Sequence, residues 1–256
     1  LSSIHPTAVI AATAELDSDV TVGPYAIVDR DVRIEARSRI GPHAVIRGPT
    51  SIGTDNRIFQ FASVGEDPQD KKYGGEETFL TIGDSNVIRE YVTLHRGTVQ
   101  DAGETRIGNG NLFMAYSHVA HDCRIGDHVI MANAASLAGH VVVQDWAILG
   151  GFTIVHQFCR IGAHSFCALG SVVSKDIPPY VMVGGHPAQP RGINTEGLRR
   201  RQIDLETIQQ LKTAYRMLYM SNRKLEEAVT AMRTLGNAQV DRLADFIAYR
   251  SRSIVR

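Results

Sequence analysis

An apolar residue recurs every six positions through most of this chain, and that period limits what it can fold into. Counting from Ile4 meets Ile10, Leu16, Val22, Val28, Ile34, Ile40, Ile46, Ile52, Ile58 and Val64. A second run from Ile107 meets Phe113, Val119, Ile125, Met131, Leu137, Val143, Leu149, Val155, Ile161, Cys167 and Val173. Ile82, Ile88 and Leu94 make a short run between them. A helix needs a period near 3.6 and a strand a period of 2. Six is even, so each hexad suits a short strand and a bend, and three hexads close a triangular turn of eighteen residues. Stacked turns then pair as parallel strands roughly 4.8 Å apart. The position four after each apolar residue is usually small or β-branched (Ala8, Ala14, Val20, Ala26, Val32). Such residues fit where the interior is narrow. The expected architecture is a parallel β-helix, a solenoid built from repeats.

The hexad signature, an aliphatic residue often followed by Gly and then a small residue, resembles the left-handed hexapeptide-repeat β-helix. The left hand comes from that resemblance, not from the period. Two stretches leave the period, 65–81 and 95–106, and are expected as loops pushed out of a coil. Long loops on a rigid scaffold often carry function. After Val173 a Pro- and Gly-rich stretch interrupts the repeat, and beyond it the pattern turns helical. The expected division is a β-helix over 1–192 and a helical domain over 193–256. Asp204 is placed to cap a helix whose apolar face holds Leu205, Ile208, Leu211, Tyr215, Leu218 and Tyr219. The segments KLEEAVTAMRTL and QVDRLADFIAY continue the helical pattern. Lys+Arg and Asp+Glu are each 27, which argues against a nucleic-acid binder. From 194 onward there are twelve basic and seven acidic residues, a balance of +5. That tail can cap the coil or offer a weakly basic platform to an acidic partner. No apolar run is long enough for a membrane span, and no signal-peptide pattern opens the chain. Cys123, Cys159 and Cys167 form no paired metal motif or disulfide framework and are expected as buried thiols, in keeping with a reducing cytosol.

The segment SHVAHDCRIGDH, 117–128, is dense in ionisable groups. The hexads starting at Val119, Leu137 and Val155 are eighteen apart and should stack. That puts His121 and Asp122, then His140, then His156 and Gln157, on one side of the prism, with His118 bordering it. A neutral imidazole can take a proton near neutral pH, and a carboxylate can fix its tautomer. Neighbours on a strand point to opposite sides, so a bend must turn His121 and Asp122 together. Gly139 beside His140 could offer its N–H to an oxyanion. The same histidines also suit a zinc site of the kind found in β-helical carbonic anhydrases. A purely structural β-helix is the third reading. His5, His43, His95, His128, His164 and His186 are read as incidental surface histidines.

Several segments together are similar to the acyl-carrier-protein-dependent UDP-N-acetylglucosamine O-acyltransferases of lipid A biosynthesis. They are HPTA, IFQFASVGEDPQDKKYGGE, IREYVTLHRGT, SHVAHDC, NAASLAGHV, VHQFCRIGAH and GINTEGLRRR, in family order over nearly the whole chain. The resemblance implies transfer of an R-3-hydroxyacyl group from acyl carrier protein to the 3-hydroxyl of UDP-N-acetylglucosamine, the first step of lipid A biosynthesis. It implies His121 as general base, Asp122 as its orienter and the Gly139 N–H at the oxyanion. His118, His140, His156 and Gln157 would position the substrates, and Gln69, Asp70 and Lys72 would meet donor or sugar. Asn194, Glu196, Arg200 and Arg201 would hold the nucleotide, arginine being suited to a diphosphate. It also implies a cytoplasmic homotrimer with sites between subunits, in a Gram-negative-type bacterium. Its tail would help dock carrier protein, with no metal and no cofactor beyond the carrier's phosphopantetheine. An acyltransferase acting on an amino-sugar nucleotide remains an alternative. Leu169 matches the position whose size limits the acyl groove, so a medium chain of about ten to twelve carbons is expected, since added volume there is costly.

Overall fold

In a computed structural model, residues 3–250 and 252–256 are described. Their strands are mostly two residues long, and most end on a residue of the six-residue series, as in Val22, Ile40, Ile58 and Ile88. They stack into three sheets of eleven, nine and eight strands, parallel throughout except for the last strand of the first, and these are the faces of a left-handed parallel β-helix. The register is i to i+18: Val22 pairs with Ile40, Val28 with Ile46, Ile34 with Ile52. The series residues point inward and are almost all buried, from Val22 to Val173. Ile4, in the first coil, is 46 % exposed, since a terminal coil has a neighbour on one side only. The three cysteines are fully buried and free, as expected.

The bends explain how side chains leave the prism. Most corners carry a residue in the left-handed region, and many of these are not glycine: Tyr116, Asp122, His128, His140 and Trp146 have φ between 56° and 64°. Such a φ costs an L-residue about 1–2 kcal/mol. It is repeated because hydrogen bonds from coil to coil hold every corner, as in His140 N to His121 O at 3.0 Å. Corners six residues apart alternate, so three columns run up the molecule. The first carries Tyr25, His43, Phe61, Tyr91 and Tyr116, stacked ring on ring. The second carries Asp122, His140 and Phe158. The third carries His128, Trp146, His164 and Tyr180.

Both excursions are shorter than expected, because strand pairing runs into their ends. Ser63–Glu66 and Phe79–Ile82 are strands, as are Thr93–His95 and Glu104–Ile107, leaving 67–78 and 96–103 outside the coil. Their lengths do not disturb the stack. Val64 pairs with Leu94, thirty residues on, and Leu94 with Val119, twenty-five on. The two turns are thus twelve and seven residues longer than the eighteen-residue repeat while the column register continues.

The stretch after Val173 is more ordered than its composition suggests. Val181–Gly184 adds a parallel strand to Phe166–Cys167, then turns back antiparallel into Gln189–Ile193. Helices α1 (Thr195–Arg200), α2 (Leu205–Tyr219), α3 (Leu225–Arg233) and α4 (Ala238–Ala248) follow. Asp204 caps α2 by accepting from Thr207 N at 2.7 Å. Ile208, Leu211, Tyr215 and Leu218 are buried on its inner face. Leu205 departs from expectation: in the first turn of α2 it lies 72 % exposed. Residues 253–255 return to the coil, where Asp176 N donates to Ser253 O and Val255 N to Asp176 O. The helices and the coil end are thereby tied together. Among the described residues no helix is long and apolar enough to cross a membrane.

Candidate active site

The second column joins His121 to Asp122. Because Asp122 sits at φ 59°, its side chain swings back toward its predecessor instead of away from it. His121 Nδ1 and Asp122 Oδ2 are 2.7 Å apart. Asp122 is 2 % exposed. Burial works to raise the pKa of its carboxyl, but hydrogen bonds from His121 and Thr98 hold it below the ordinary carboxylate value. An ionised carboxylate can only accept, so Nδ1 carries the imidazole proton and Nε2 keeps the lone pair. Nε2 has no hydrogen-bond partner among the described residues. The result is a dyad whose basic nitrogen is free for a substrate.

One loop residue, Thr98, completes the carboxylate's shell, and a strand residue, Thr105, holds the Asp122 backbone. Thr98 N donates to Oδ1 at 2.8 Å and Thr98 Oγ1 to Oδ2 at 2.7 Å. Asp122 N donates to Thr105 Oγ1 at 2.8 Å. One coil further on, His140 Nε2 lies 3.7 Å from Asp122 Oδ2, and its Nδ1 is 3.1 Å from Asp101 Oδ2. The His140 ring meets His121 edge-on at 5.1 Å and stacks on Phe158 at 4.4 Å. Gly139 lies against the base itself: a Cβ there would come within 2.5 Å of His121 Cε1 and 2.7 Å of Nε2. Its N–H has no acceptor among the described residues, so it is free to meet an oxyanion.

His121, Asp122 and His140 bring ligand-type atoms within 4.8 Å of one another. A tetrahedral zinc with bonds of about 2.0–2.1 Å keeps its ligand atoms roughly 3.3 Å apart. The His121–Asp122 contact at 2.7 Å is closer than that and is a hydrogen bond. Zinc could enter only by breaking the dyad. His118, His156 and Gln157 share the side without joining the contact. His118 Nδ1 bonds Thr93 Oγ1 at 2.7 Å, and its ring meets His95 edge-on. His156 and Gln157 are exposed one coil on, and the Gln157 carbonyl accepts from Arg252 at 2.9 Å.

Two histidines expected at the surface are buried: His95 at 3 % and His164 at 9 % exposure. Burial pushes both from the ordinary 6.5 down to about 4. The folded chain keeps them neutral where the unfolded chain has begun to bind protons. Stability should therefore be undiminished above about 6.5 and fall as the pH drops from there toward 4. Melting temperatures from pH 7.5 to 5 should decline, and His95→Gln should flatten the slope. A slope unchanged by that substitution would show that His95 does not contribute.

The likeness to known proteins agrees with this geometry. A model of bacterial transferase hexapeptide repeats matches residues 104–139, and one for UDP N-acetylglucosamine O-acyltransferase domain 2 matches 176–255. The acyl-[acyl-carrier-protein]–UDP-N-acetylglucosamine O-acyltransferase of Halorhodospira halophila is 56 % identical over the whole of both chains. This chain belongs to that O-acyltransferase family. Among solved structures, the UDP-N-acetylglucosamine O-acyltransferase of Moraxella catarrhalis is 44 % identical at a TM-score of 0.96, with 99 % of each chain covered. The UDP-N-acetylglucosamine acyltransferase of Campylobacter jejuni is 37 % identical at 0.95, covering 99 % of this chain and all of its own. The carbonic-anhydrase reading is not favoured.

The other residues that match the O-acyltransferase motifs do not gather at the dyad within one chain. In the first loop, Gln69 and Lys72 are exposed, and Asp70 accepts from Lys72 N at 3.0 Å. That loop is anchored by buried Arg96, which donates to Asp67, to Tyr73 Oη and to the Gly48 carbonyl. Asn194 is buried as the N-cap of α1, accepting from Gly197 N at 3.1 Å and donating to His164 O at 3.0 Å. Its amide is thus already engaged in holding the helix. Arg201 lies over the Trp146 ring at 4.9 Å and donates to the Trp146 carbonyl, on the third column. Glu196 and Arg200 form an exposed pair on α1 at 3.1 Å. Leu169 is 75 % exposed beside Gly151, just before the first column's Gly170, and is no part of the core.

Proposed function

We propose that this chain transfers an R-3-hydroxyacyl group from acyl carrier protein to the 3-hydroxyl of UDP-N-acetylglucosamine, as the first step of lipid A biosynthesis. The observation that carries the reading is the His121–Asp122 dyad with its open Nε2. It stands in a chain 56 % identical to proteins named acyl-[acyl-carrier-protein]–UDP-N-acetylglucosamine O-acyltransferase. His121 Nε2 accepts the sugar hydroxyl proton as the oxygen attacks the thioester carbonyl. The new C–O bond puts charge on the carbonyl oxygen, which the Gly139 N–H can receive. Collapse breaks the C–S bond, and the imidazolium returns its proton to the departing thiolate. Asp122 stabilises that imidazolium. His118, His140, His156 and Gln157 border the path of the two substrates. The deciding experiment offers UDP-N-acetylglucosamine a ladder of 3-hydroxyacyl donors, on carrier protein and on coenzyme A, with mass spectrometry of the product. A 3-O-ester formed only from carrier protein supports the reading. An amide, or no product, overturns it.

The same proposal makes the protein a cytoplasmic homotrimer. The nucleotide-binding candidates on α1 sit by the third column and the dyad on the second, so an adjacent copy is needed to bring them together. The exposed aromatic column of Tyr25, Phe61, Tyr91 and Tyr116 is apolar surface of the kind that association covers. Light scattering should return a mass near three times 28.0 kDa. A monomer would remove this part of the proposal.

Two substitutions test substrate contacts. Arg200 is exposed and among the described residues pairs with Glu196 alone, so its fork is available to a diphosphate. Arg200→Ala should raise KM for the UDP-sugar roughly tenfold with kcat little changed, as expected when binding common to ground and transition states is removed. Equal KM values would exclude this role. Leu169, being exposed, can wall an acyl groove. Leu169→Gly should move donor preference from about ten to twelve carbons toward fourteen, each added methylene being worth about 0.8 kcal/mol when buried. An unchanged chain-length profile would dismiss the ruler.

A further inference from the structure

The 96–103 loop reaches back over the second column, and its inner residue is Thr98. Thr98 is 1 % exposed and gives both its donors, backbone N–H and side-chain hydroxyl, to the two oxygens of Asp122. The plane of an unrestrained carboxylate turns over a broad range about its last bond. Donors on both oxygens hold that plane at one tilt, so an oxygen stays aimed at His121 Nδ1. The loop's path is itself fixed. Gly97, next to Thr98, passes so close to Glu104 that a Cβ would lie 2.1 Å from its N. Arg96, on the other side of Gly97, is buried and tied to Gly48, Asp67 and Tyr73. From the same loop Asp101 meets His140 Nδ1.

We propose that Thr98 is a positioning residue for the dyad, holding the Asp122 carboxylate in the orientation that fixes the His121 tautomer. It touches no substrate; it acts through Asp122, and its kinetic consequence rests on His121 being the base. In Thr98→Val the backbone donor and the shape remain while the hydroxyl is lost. The loop then holds the carboxylate at Oδ1 only, and His121 is left alone on Oδ2.

The test uses the full-length protein with both substrates. Thr98→Val should lower kcat roughly 10- to 100-fold, the scale of one hydrogen bond to a charged group expressed in the barrier. KM for the UDP-sugar should stay within about twofold, and Thr98→Ser should restore most of the lost rate. In proton NMR the low-field Nδ1–H resonance, assigned by its absence in His121→Ala, should broaden or shift upfield in Thr98→Val and return in Thr98→Ser. If Thr98→Val does not fold, Thr98→Ala with the same readouts replaces it. An undisturbed resonance with unchanged kcat overturns the proposal, as does a loss that serine fails to rescue. A disturbed resonance with unchanged kcat overturns the kinetic role and points instead to failure of the general-base reading, which His121→Ala decides separately.

Discussion

His121→Ala is expected to cut turnover roughly 10³- to 10⁴-fold, the upper range for removing a general base. Nothing else on the second column can replace it. Asp122 is buried, ionised and saturated by Thr98. His140 has its Nδ1 turned to Asp101 and its Nε2 to Asp122. Substrate binding should survive, because no backbone hydrogen bond of the coil depends on the ring. Single-turnover rates with saturating donor, alongside calorimetric UDP-sugar affinity, separate the two effects. Turnover within tenfold of the parent would mean that the proton leaves by another route.

Gly139→Ala should be nearly as severe, although it adds one methyl group. The new Cβ would fall 2.5 Å from His121 Cε1, a separation atoms do not tolerate, so the imidazole must swing away. The swing breaks the 2.7 Å bond to Asp122 or carries Nε2 off the substrate. A displacement near 1 Å at a reacting atom can cost about 100-fold, and a roughly 10²- to 10³-fold loss in kcat is expected. The glycine N–H itself remains in place. Thermal stability should change little, since the ring faces the crevice and not the core. A Gly139→Ala enzyme with normal kcat would show that the ring already rests elsewhere during catalysis.

The coil and the site core were legible for one reason: a strict period converts sequence distance into position. Eighteen residues from Asp122 lead to His140, and the structure places them 3.7 Å apart. The required bend between His121 and Asp122 appears as the left-handed φ of Asp122. Residues brought in from outside the period could not be read this way. Thr98 and Asp101 arrive on an excursion whose return path is set by Arg96 and Gly97, and no spacing relates them to Asp122. Helix α1 spans six residues, too few to show a periodic face, so Asn194 stood out as a binding motif before it could be seen as a cap. His95 and His164 looked like surface residues because a histidine outside the repeat's inner position normally faces water. Here the His118 ring packs edge-on against one, and the other is stacked between the rings of Trp146 and Tyr180.

The eighteen-residue repeat also governs which changes of length this protein can accept. Removing a single hexad between His121 and His140 would advance every later corner by a third of a revolution, leaving His121 opposite an aromatic ring from another flank. Deleting or inserting a complete triangle would preserve the flank and alter only height. Extra residues added at a corner, as at 67–78 and 96–103, leave both rotation and height intact. Natural or engineered variation in chain length should therefore concentrate in whole triangles or in corner outgrowths, with solitary hexads excluded near the chemistry.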